Sequence, residues 1–439
     1  MHFSRIIGTG AFLALCAALS YAQDSSSGIT ITPHGWAALD FGEVVKGYDK
    51  NAGNLMMVEF NRIFLRIGLN VHFNDRTNLT GAMDVKTFNE FPRLVKLGAT
   101  RRYYYYLYLH QAELVHTFFD NDVVRWDLGG GYFPYKYNNN VRNLGEYLFR
   151  STAYPQTLTT EFDMPWNRLF GVYSKHAFQI GENKLNVDAL ATLNTEWVAI
   201  GDLNASVVAT YARAHFFEIG AGVEFGSIVS ADEKTTTPQD DNTKYFLKKS
   251  DGTVDTSQYY TFRGAKLMTR TSFDCKYPLP FRSIFGEEDL KLYGEWTFLG
   301  TKSYPRALHS PMWYNSPLER MPVMAGFNLP TFKILDVLSL EGEYWANRYP
   351  NSMEGIVNDG LPLPFLAGTS SIDSTKYKKD NWKWSIYAAK TFLSHYRLVF
   401  QAASDHMRTF AWDWNRQDWE ESLRDAGKWY FVLRFSVMF

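Results

Sequence analysis

Trp429-Tyr430-Phe431-Val432-Leu433-Arg434-Phe435-Ser436-Val437-Met438-Phe439 ends the chain, and every odd position in it is large and apolar. The even positions include Tyr430, Arg434 and Ser436. Side chains of a strand point alternately to its two faces, so this segment has one greasy face and one face carrying polar and charged groups. A soluble edge strand also alternates. It seldom exposes six large apolar side chains and then stops on an aromatic residue.

The same period recurs upstream. Leu65, Ile67, Leu69, Val71 and Phe73 alternate with Arg66, Gly68, Asn70 and His72. The turn Asn74-Asp75-Arg76-Thr77-Asn78 follows, and Leu79, Gly81, Met83 and Val85 then alternate with Thr80, Ala82, Asp84 and Lys86. A sandwich would bury the apolar face of such a hairpin against a second sheet, whereas a water-filled barrel turns it outward. Sixteen runs of this kind are predicted, beginning near Ile29, Phe60, Leu79, Tyr103, Val123, Arg168, Lys184, Asn204, Phe216, Tyr259, Leu290, Arg320, Val337, Trp382, Tyr396 and Lys428. Short links (74–78, 179–183, 393–395) alternate with long ones (134–167, 230–258, 348–381, 407–427). The expectation is an all-β fold: one transmembrane antiparallel up-and-down β-barrel of about sixteen strands over residues 23–439, with long extracellular loops and short periplasmic turns.

The other end of the chain reads as an address. His2 and Arg5 make a basic start, Ile6 to Leu19 is apolar, and Ser20-Tyr21-Ala22 places small residues where a signal peptidase inspects them. This pattern predicts a signal peptide over residues 1–22, cleaved after Ala22. Beyond it no stretch is apolar enough for a membrane helix. The remaining chain has a single cysteine, Cys275, which excludes an internal disulfide. Removing Arg5 from 45 basic residues leaves 44 against 46 acidic ones, without the basic surplus of a nucleic-acid binder. Aromatics make up 17% of the chain, which suits a protein meeting a membrane interface at many points or an aromatic-rich carbohydrate binder. The two-residue period decides for the first.

Hydrocarbon offers no partner to a backbone N–H or C=O, so strands cross it only as a closed sheet. Lys or Arg on the lipid face costs about 2–4 kcal/mol at midplane. The parity of the clear strands puts Arg66, Arg125, Lys266, Arg270, Lys291 and Arg434 inward. It puts Trp126, Trp296, Trp382, Trp384 and Trp429 outward, mostly near strand ends. His110 falls on the lipid face unless a bulge interrupts its strand.

The opening strand Gly35-Trp36-Ala37-Ala38-Leu39-Asp40, the strand count and the terminal Phe439 resemble those of the porins of Gram-negative outer membranes. The stretch Gly131-Tyr132-Phe133-Pro134-Tyr135-Lys136-Tyr137-Asn138 through Leu144-Gly145-Glu146-Tyr147-Leu148-Phe149-Arg150 is similar to a group of porin-like barrels. The spacing of Phe431, Leu433, Phe435, Val437 and Phe439 resembles the signal read by the barrel-assembly machinery. The resemblance implies a passive diffusion channel in the cell outer membrane for small hydrophilic solutes or ions. It implies outer-membrane lipid and lipopolysaccharide as surroundings, the assembly machinery as partner, a homotrimer as one assembly, and neither cofactor nor metal. Barrels of about 16–18 strands leave an aqueous channel.

In sixteen-stranded porins the third external loop enters the lumen, and here that loop is 134–167. A short helix is expected over Val141 to Ser151, placing Arg142, Glu146 and Arg150 four apart on one face. These three either present both charge signs to a passing solute or tie the loop to itself and to the wall. Arg66, Asp84, Lys86, Arg125, Asp127, Glu224, Lys266, Arg270, Glu295, Glu341 and Glu343 are the expected wall of the pore. Opposed charged rings of this kind order polar solutes and tune selectivity. Tyr103 to Tyr106 reads as rim girdle rather than a sugar slide, and the acidic 230–258 loop as a solvated surface rather than a cation site.

No Gly-x-Ser-x-Gly motif, zinc-ligand spacing or phosphate loop is present, which argues against an enzyme. Asp405 and His406 are adjacent in a predicted strand and should point to opposite faces. A gated transporter needs a plug domain before a 22-stranded barrel, and the expected first strand starts too early for one. The remaining alternative is a closed barrel serving as an adhesin, structural or binding protein.

Overall fold

The computed structural model describes residues 28–49, 53–92, 102–149, 167–195, 201–214, 216–229, 247–248, 254–255, 264–300, 317–346, 381–406, 412–413, 416–417, 423 and 425–439. The expected signal peptide, Arg150, the side chains of Tyr103 to Tyr106 and most of the acidic 230–258 loop lie outside the described residues.

Sixteen strands form one closed antiparallel barrel. They are β1 (Thr30–Asp49), β2 (Gly53–Asn74), β3 (Thr77–Pro92), β4 (Arg102–Asp120), β5 (Val124–Tyr135), β6 (Asn167–Ile180), β7 (Asn183–Leu193) and β8 (Leu203–Arg213). Then follow β9 (Phe217–Val229), β10 (Gly264–Asp274), β11 (Lys291–Phe298), β12 (Val323–Asn328), β13 (Val337–Tyr344), β14 (Trp382–Phe392), β15 (Tyr396–Ser404) and β16 (Trp429–Met438). Each strand pairs with its neighbours in sequence, and β16 returns to β1. That closing register runs from Trp36 opposite Met438 to Lys46 opposite Trp429. Past it, Gly35 N–H donates to Phe439 O at 2.7 Å and Phe439 N–H to Gly35 O at 3.0 Å. A Cβ at position 35 would lie 2.2 Å from the Phe439 ring, so any larger residue there would push that ring aside.

The two faces of the sheet invert the pattern of a soluble protein. Outward positions expose Leu107 (68%), Val172 (56%) and Phe41 (55%), with Leu128, Leu292, Leu340, Leu398 and Leu433 continuing the belt. Inward positions bury Asp40, Arg62, Asp84, Lys86, Glu224, Lys266, Arg270, Glu295, Glu341 and Glu343. An exposed apolar surface this extensive marks an interaction face of the barrel.

All sixteen runs read from the sequence are strands, several of them with shifted starts. The second begins at Gly53 rather than Phe60, because Leu55-Met56-Met57-Val58 is apolar at every position and offers no alternation to read. The twelfth begins at Val323 rather than Arg320. Pro322 brings no N–H to a ladder, and Pro317–Arg320 forms a 3-10 turn before it. His110 is buried, not on the outer face. The β3–β4 register slips between Ala82, opposite Gln111, and Met83, opposite Leu109, so His110 is the extra residue of a bulge. The bulge returns it to the inside while Leu107, Leu109 and Leu114 stay outside.

Gly131 tests the β4–β5 register. Its φ is +122°, and a Cβ there would lie 2.0 Å from the carbonyl oxygen of Ala112. Gly131→Val is expected to cost at least the ~1–3 kcal/mol of a strained backbone position, read as a lower urea midpoint of the folded barrel. An unchanged midpoint would contradict this pairing.

Candidate functional site

The chain leaves β5 at Tyr135 and turns into the barrel. Val141, Leu144, Tyr147, Leu148 and Phe149 are at most 1% exposed. Val141, Leu144 and Tyr147 pack with Tyr293, Leu299, Met324 and Trp345, beside the short strands β11–β13. Leu148 and Phe149 pack with Phe133, Tyr135, Leu169, Tyr173, Leu190, Val208 and Met268 on β5–β8 and β10.

A segment without helix or ladder has unmet backbone donors, and buried donors must find acceptors. The wall supplies carboxylates. Glu341 accepts the N–H groups of Arg142 (2.5 Å), Asn143 (2.9 Å) and Leu144 (2.9 Å), and the Tyr293 hydroxyl (2.9 Å). Three successive N–H groups on one anion form a backbone nest. Glu295 accepts the N–H groups of Glu146 (3.2 Å) and Tyr147 (2.9 Å), the Tyr137 hydroxyl (2.7 Å) and the Asn138 amide (2.9 Å). Glu343 accepts the Tyr147 hydroxyl and bonds the His406 imidazole at 2.8 Å. Lys266 Nζ donates to Leu148 O at 3.2 Å while pairing with Glu224 at 2.8 Å.

The expected helix over 141–151 is not formed in the described part, 141–149. Gly145 (φ +95°) and Glu146 (φ +64°) are both left-handed, which breaks a right-handed helix. Arg142 and Glu146 therefore do not share a face. Arg142 Nη2 reaches Glu288 at 2.5 Å, in the link between β10 and β11. Glu146 turns back to accept Asn138 N–H (2.5 Å) and the Asn167 amide (2.9 Å). The charges of the segment tie it down.

The remaining expected wall residues lie elsewhere around the ring. On β16, β1, β2 and β3, Asp40 sits between Arg62 (2.9 Å) and Arg434 (2.6 and 2.8 Å). Asp84 takes a bidentate pair from Arg66 (2.7 and 2.9 Å) and a contact from His110 (3.3 Å). Lys86 lies 5.3 Å from the centre of the Phe64 ring. Arg125, half exposed, pairs with Asp127 at 2.8 Å. Arg270 pairs with Glu218 and donates to Thr210 at 3.0 Å.

The architecture is a closed antiparallel barrel of sixteen strands. No family model and no curated protein matches the chain. Among solved structures, two variants of the Rh. blastica porin align over 93% of this chain and 100% of theirs, with TM-score 0.40 and 7% and 8% identity. A triple mutant of the Rhodopseudomonas blastica porin gives 0.39 and 8% over the same shares. The barrel is established by its own strand register, not by these likenesses.

Several residues of the site escaped the sequence reading. Asp40 and Arg62 obey the same two-residue parity as Arg66 and were legible by extending it. Asp405 and His406 were not. They follow the end of β15, so alternation does not govern them, and both are buried. Asp405 accepts the Asn143 amide (2.7 Å) and the Tyr430 hydroxyl (2.8 Å), while His406 meets Glu343. Each serves a different partner.

Glu341→Ala leaves three buried N–H groups without their acceptor, at about 1–3 kcal/mol each. Amide exchange at Arg142, Asn143 and Leu144 should accelerate by about a hundredfold or more, since ~1.4 kcal/mol is tenfold. Unchanged exchange would show that Glu341 does not hold the segment. The Arg142 tether is expected to depend on pH. Burial pushes the Glu288 carboxyl up, but the Lys291 ammonium, with Arg142 and Lys276 beyond it, outweighs this and holds it below its ordinary value. A depressed carboxyl stabilises above its unfolded pKa, and that contribution is lost as pH falls through the folded value. Glu288→Gln should thus lower stability at neutral pH and make no difference in acid well below the ordinary glutamate pKa of about 4.3. A gap that persisted in acid would refute this.

Proposed function

We propose that the protein is an outer-membrane porin, a passive diffusion channel for small hydrophilic solutes or ions. The observation that carries this reading is the inverted sheet: a closed ring of sixteen strands, apolar outside and charged inside. An apolar girdle suits a bilayer, and a ring of this strand number is wide enough for water. The inserted 136–149 segment then serves as the constriction, fixed by Glu295, Glu341 and Glu343. Arg66, Asp84, Lys86, Arg125, Asp127, Glu224, Lys266 and Arg270 complete the charged wall along which solutes pass. Export through the leader at 1–22, assembly through the strand ending at Phe439, and insertion among phospholipid and lipopolysaccharide belong to the same reading, as does association into a homotrimer.

One observation favours a second reading, a closed barrel that binds or adheres without transport. The interior carries apolar clusters around Leu144, Tyr147, Leu148 and Phe149, and a further one that holds Leu423 with Val44, Phe60, Ala403, Tyr430 and Val432.

Planar-bilayer recording separates the two. The porin reading expects discrete conducting steps, larger after residues 139–147 are replaced by a short Gly-Ser link. A folded barrel that stays silent in both forms would establish the closed reading. Membrane residence has its own test in Leu433→Arg on the outward face of β16. Folding into lipid vesicles should weaken by about 2–4 kcal/mol, and a detergent-free soluble monomer would end the membrane assignment.

A further inference from the structure

We propose that the links 275–290 and 329–336 form a lipid-binding shelf at the headgroup boundary of a bilayer, carrying the apolar girdle on where the strands are short. The shelf rests on the reading of the barrel as a membrane protein, and it adds a lipid contact that the strands themselves do not make.

The barrel wall is uneven. β1 and β2 have 20 and 22 residues, whereas β11, β12 and β13 have 8, 6 and 8. Six residues reach ~20 Å along a strand. At a tilt of ~40° that is about 15 Å across a bilayer, against an apolar band ~25 Å tall. The outer face of this wall carries Leu292, Val323 and Leu340, and it stops short of the band. A short wall thins the bilayer at a cost unless something beside it continues the girdle.

The links at one end of these strands have the side chains to do so. At that end 121–123, 181–182 and 393–395 are tight turns, but 275–290 and 329–336, which join β10 to β11 and β12 to β13, are longer. Tyr277, Phe281, Ile284 and Phe332 are about half exposed, and Ile334 is 74% exposed. Phe285 ties the two links together, with its ring 6.1 Å from Phe281 and 5.5 Å from Phe332.

The polar groups of the links turn to one another. Asp289 accepts the N–H groups of Gly286 (2.8 Å) and Phe332 (3.0 Å) and the Thr331 hydroxyl (2.9 Å). Lys276 Nζ donates to Asp274 (2.8 Å) and to Glu287 O (2.6 Å), and the Asn328 amide donates to Glu288 O (2.9 Å). Large apolar side chains held out together by such a bonded frame mark an interaction face, not scattered exposure.

Ring contacts join this face to the outside of the sheet. Phe273 is exposed on β10 opposite Phe217 of β9, and their rings lie 4.9 Å apart. Phe216 follows at 6.4 Å from Phe217, and Tyr277 at 5.6 Å from Phe216. A face continuous with the girdle meets the phase that the girdle meets. The Arg282 guanidinium lies 5.6 Å from the centre of the Tyr277 ring, and Arg282 and Lys333 are both exposed beside the apolar side chains. Rings with cations next to them suit the headgroup level, where the ring rests on the acyl boundary and the cation reaches phosphate.

Nitroxide labels on the barrel folded into dioleoylphosphatidylcholine vesicles test this, in a Cys16→Ser, Cys275→Ser background. Labels go on Phe281→Cys and Ile334→Cys in the shelf, on Leu292→Cys on the outer face of β11, and on Asp122→Cys in a tight turn. The ratio of oxygen to nickel-chelate collision rates at both shelf positions should be at least threefold above that at Asp122. Should Phe281→Cys fail to fold, Ile334→Cys decides alone, since its side chain is the more exposed. Shelf positions as open to the nickel chelate as Asp122, with Leu292 still favouring oxygen, would overturn the shelf and leave the membrane barrel standing. Low collision rates with both reagents at the shelf would show protein covering it, a second copy included, and would overturn the lipid contact. A ratio at Leu292 no higher than at Asp122 would reject the membrane reading and the shelf with it.

Discussion

Backbone closure between β1 and β16 is the constraint on which the rest of the structure depends. An open sheet of this size would end in two rows of unpaired N–H and C=O groups, which neither lipid nor a stable monomer in water accommodates. The reciprocal bonds of Gly35 and Phe439 and the register from Trp36 to Lys46 against β16 remove both rows. Once the ring is closed, each side chain is either outside or inside. The two-residue period then sorts leucines, valines and phenylalanines to one side and charges to the other.

Closure creates an interior, and the interior creates the second problem. The segment after β5 enters it without a helix or ladder of its own, so its donors depend on acceptors from the wall. Glu341 and Glu295 meet that need with an economy that single hydrogen bonds lack: one carboxylate collects three successive N–H groups, the other two N–H groups, a hydroxyl and an amide. A buried carboxyl group is tolerated in such a place because it is so fully bonded. The consequence for electrostatics is asymmetric. Acids on the β11–β13 side are engaged with the segment, whereas the β15–β3 side keeps cations stacked on Trp36 and Phe64 with two aspartates between them.

Most of the ring was legible because its signal is local. Strand sixteen could be read from eleven consecutive residues, and the starts of β13, β14 and β15 coincide with the runs at Val337, Trp382 and Tyr396. Where the local signal was overridden, the cause is specific. Pro322 delays β12, the unbroken apolar run from Leu55 to Val58 hides the opening of β2, and a bulge in β4 reverses the face of His110. The inserted segment misled for a similar reason. The four-residue spacing of Arg142, Glu146 and Arg150 is compatible with a helix, yet Gly145 permits a left-handed turn, and acceptors elsewhere in the ring compensate the backbone for abandoning helical bonds.

By itself the sequence determined the fold class, an approximate strand number and the face of the clearly alternating strand residues, because period and turn spacing are properties of neighbours in the chain. Which carboxylate meets which N–H was decided only by tertiary structure. Arg142 and Glu341 are 199 positions apart, and Tyr137 and Glu295 are 158 apart. No periodicity encodes such a meeting. It exists because closing the ring brings opposite stretches of the chain within hydrogen-bond reach across one enclosed space, where every buried donor needs a partner.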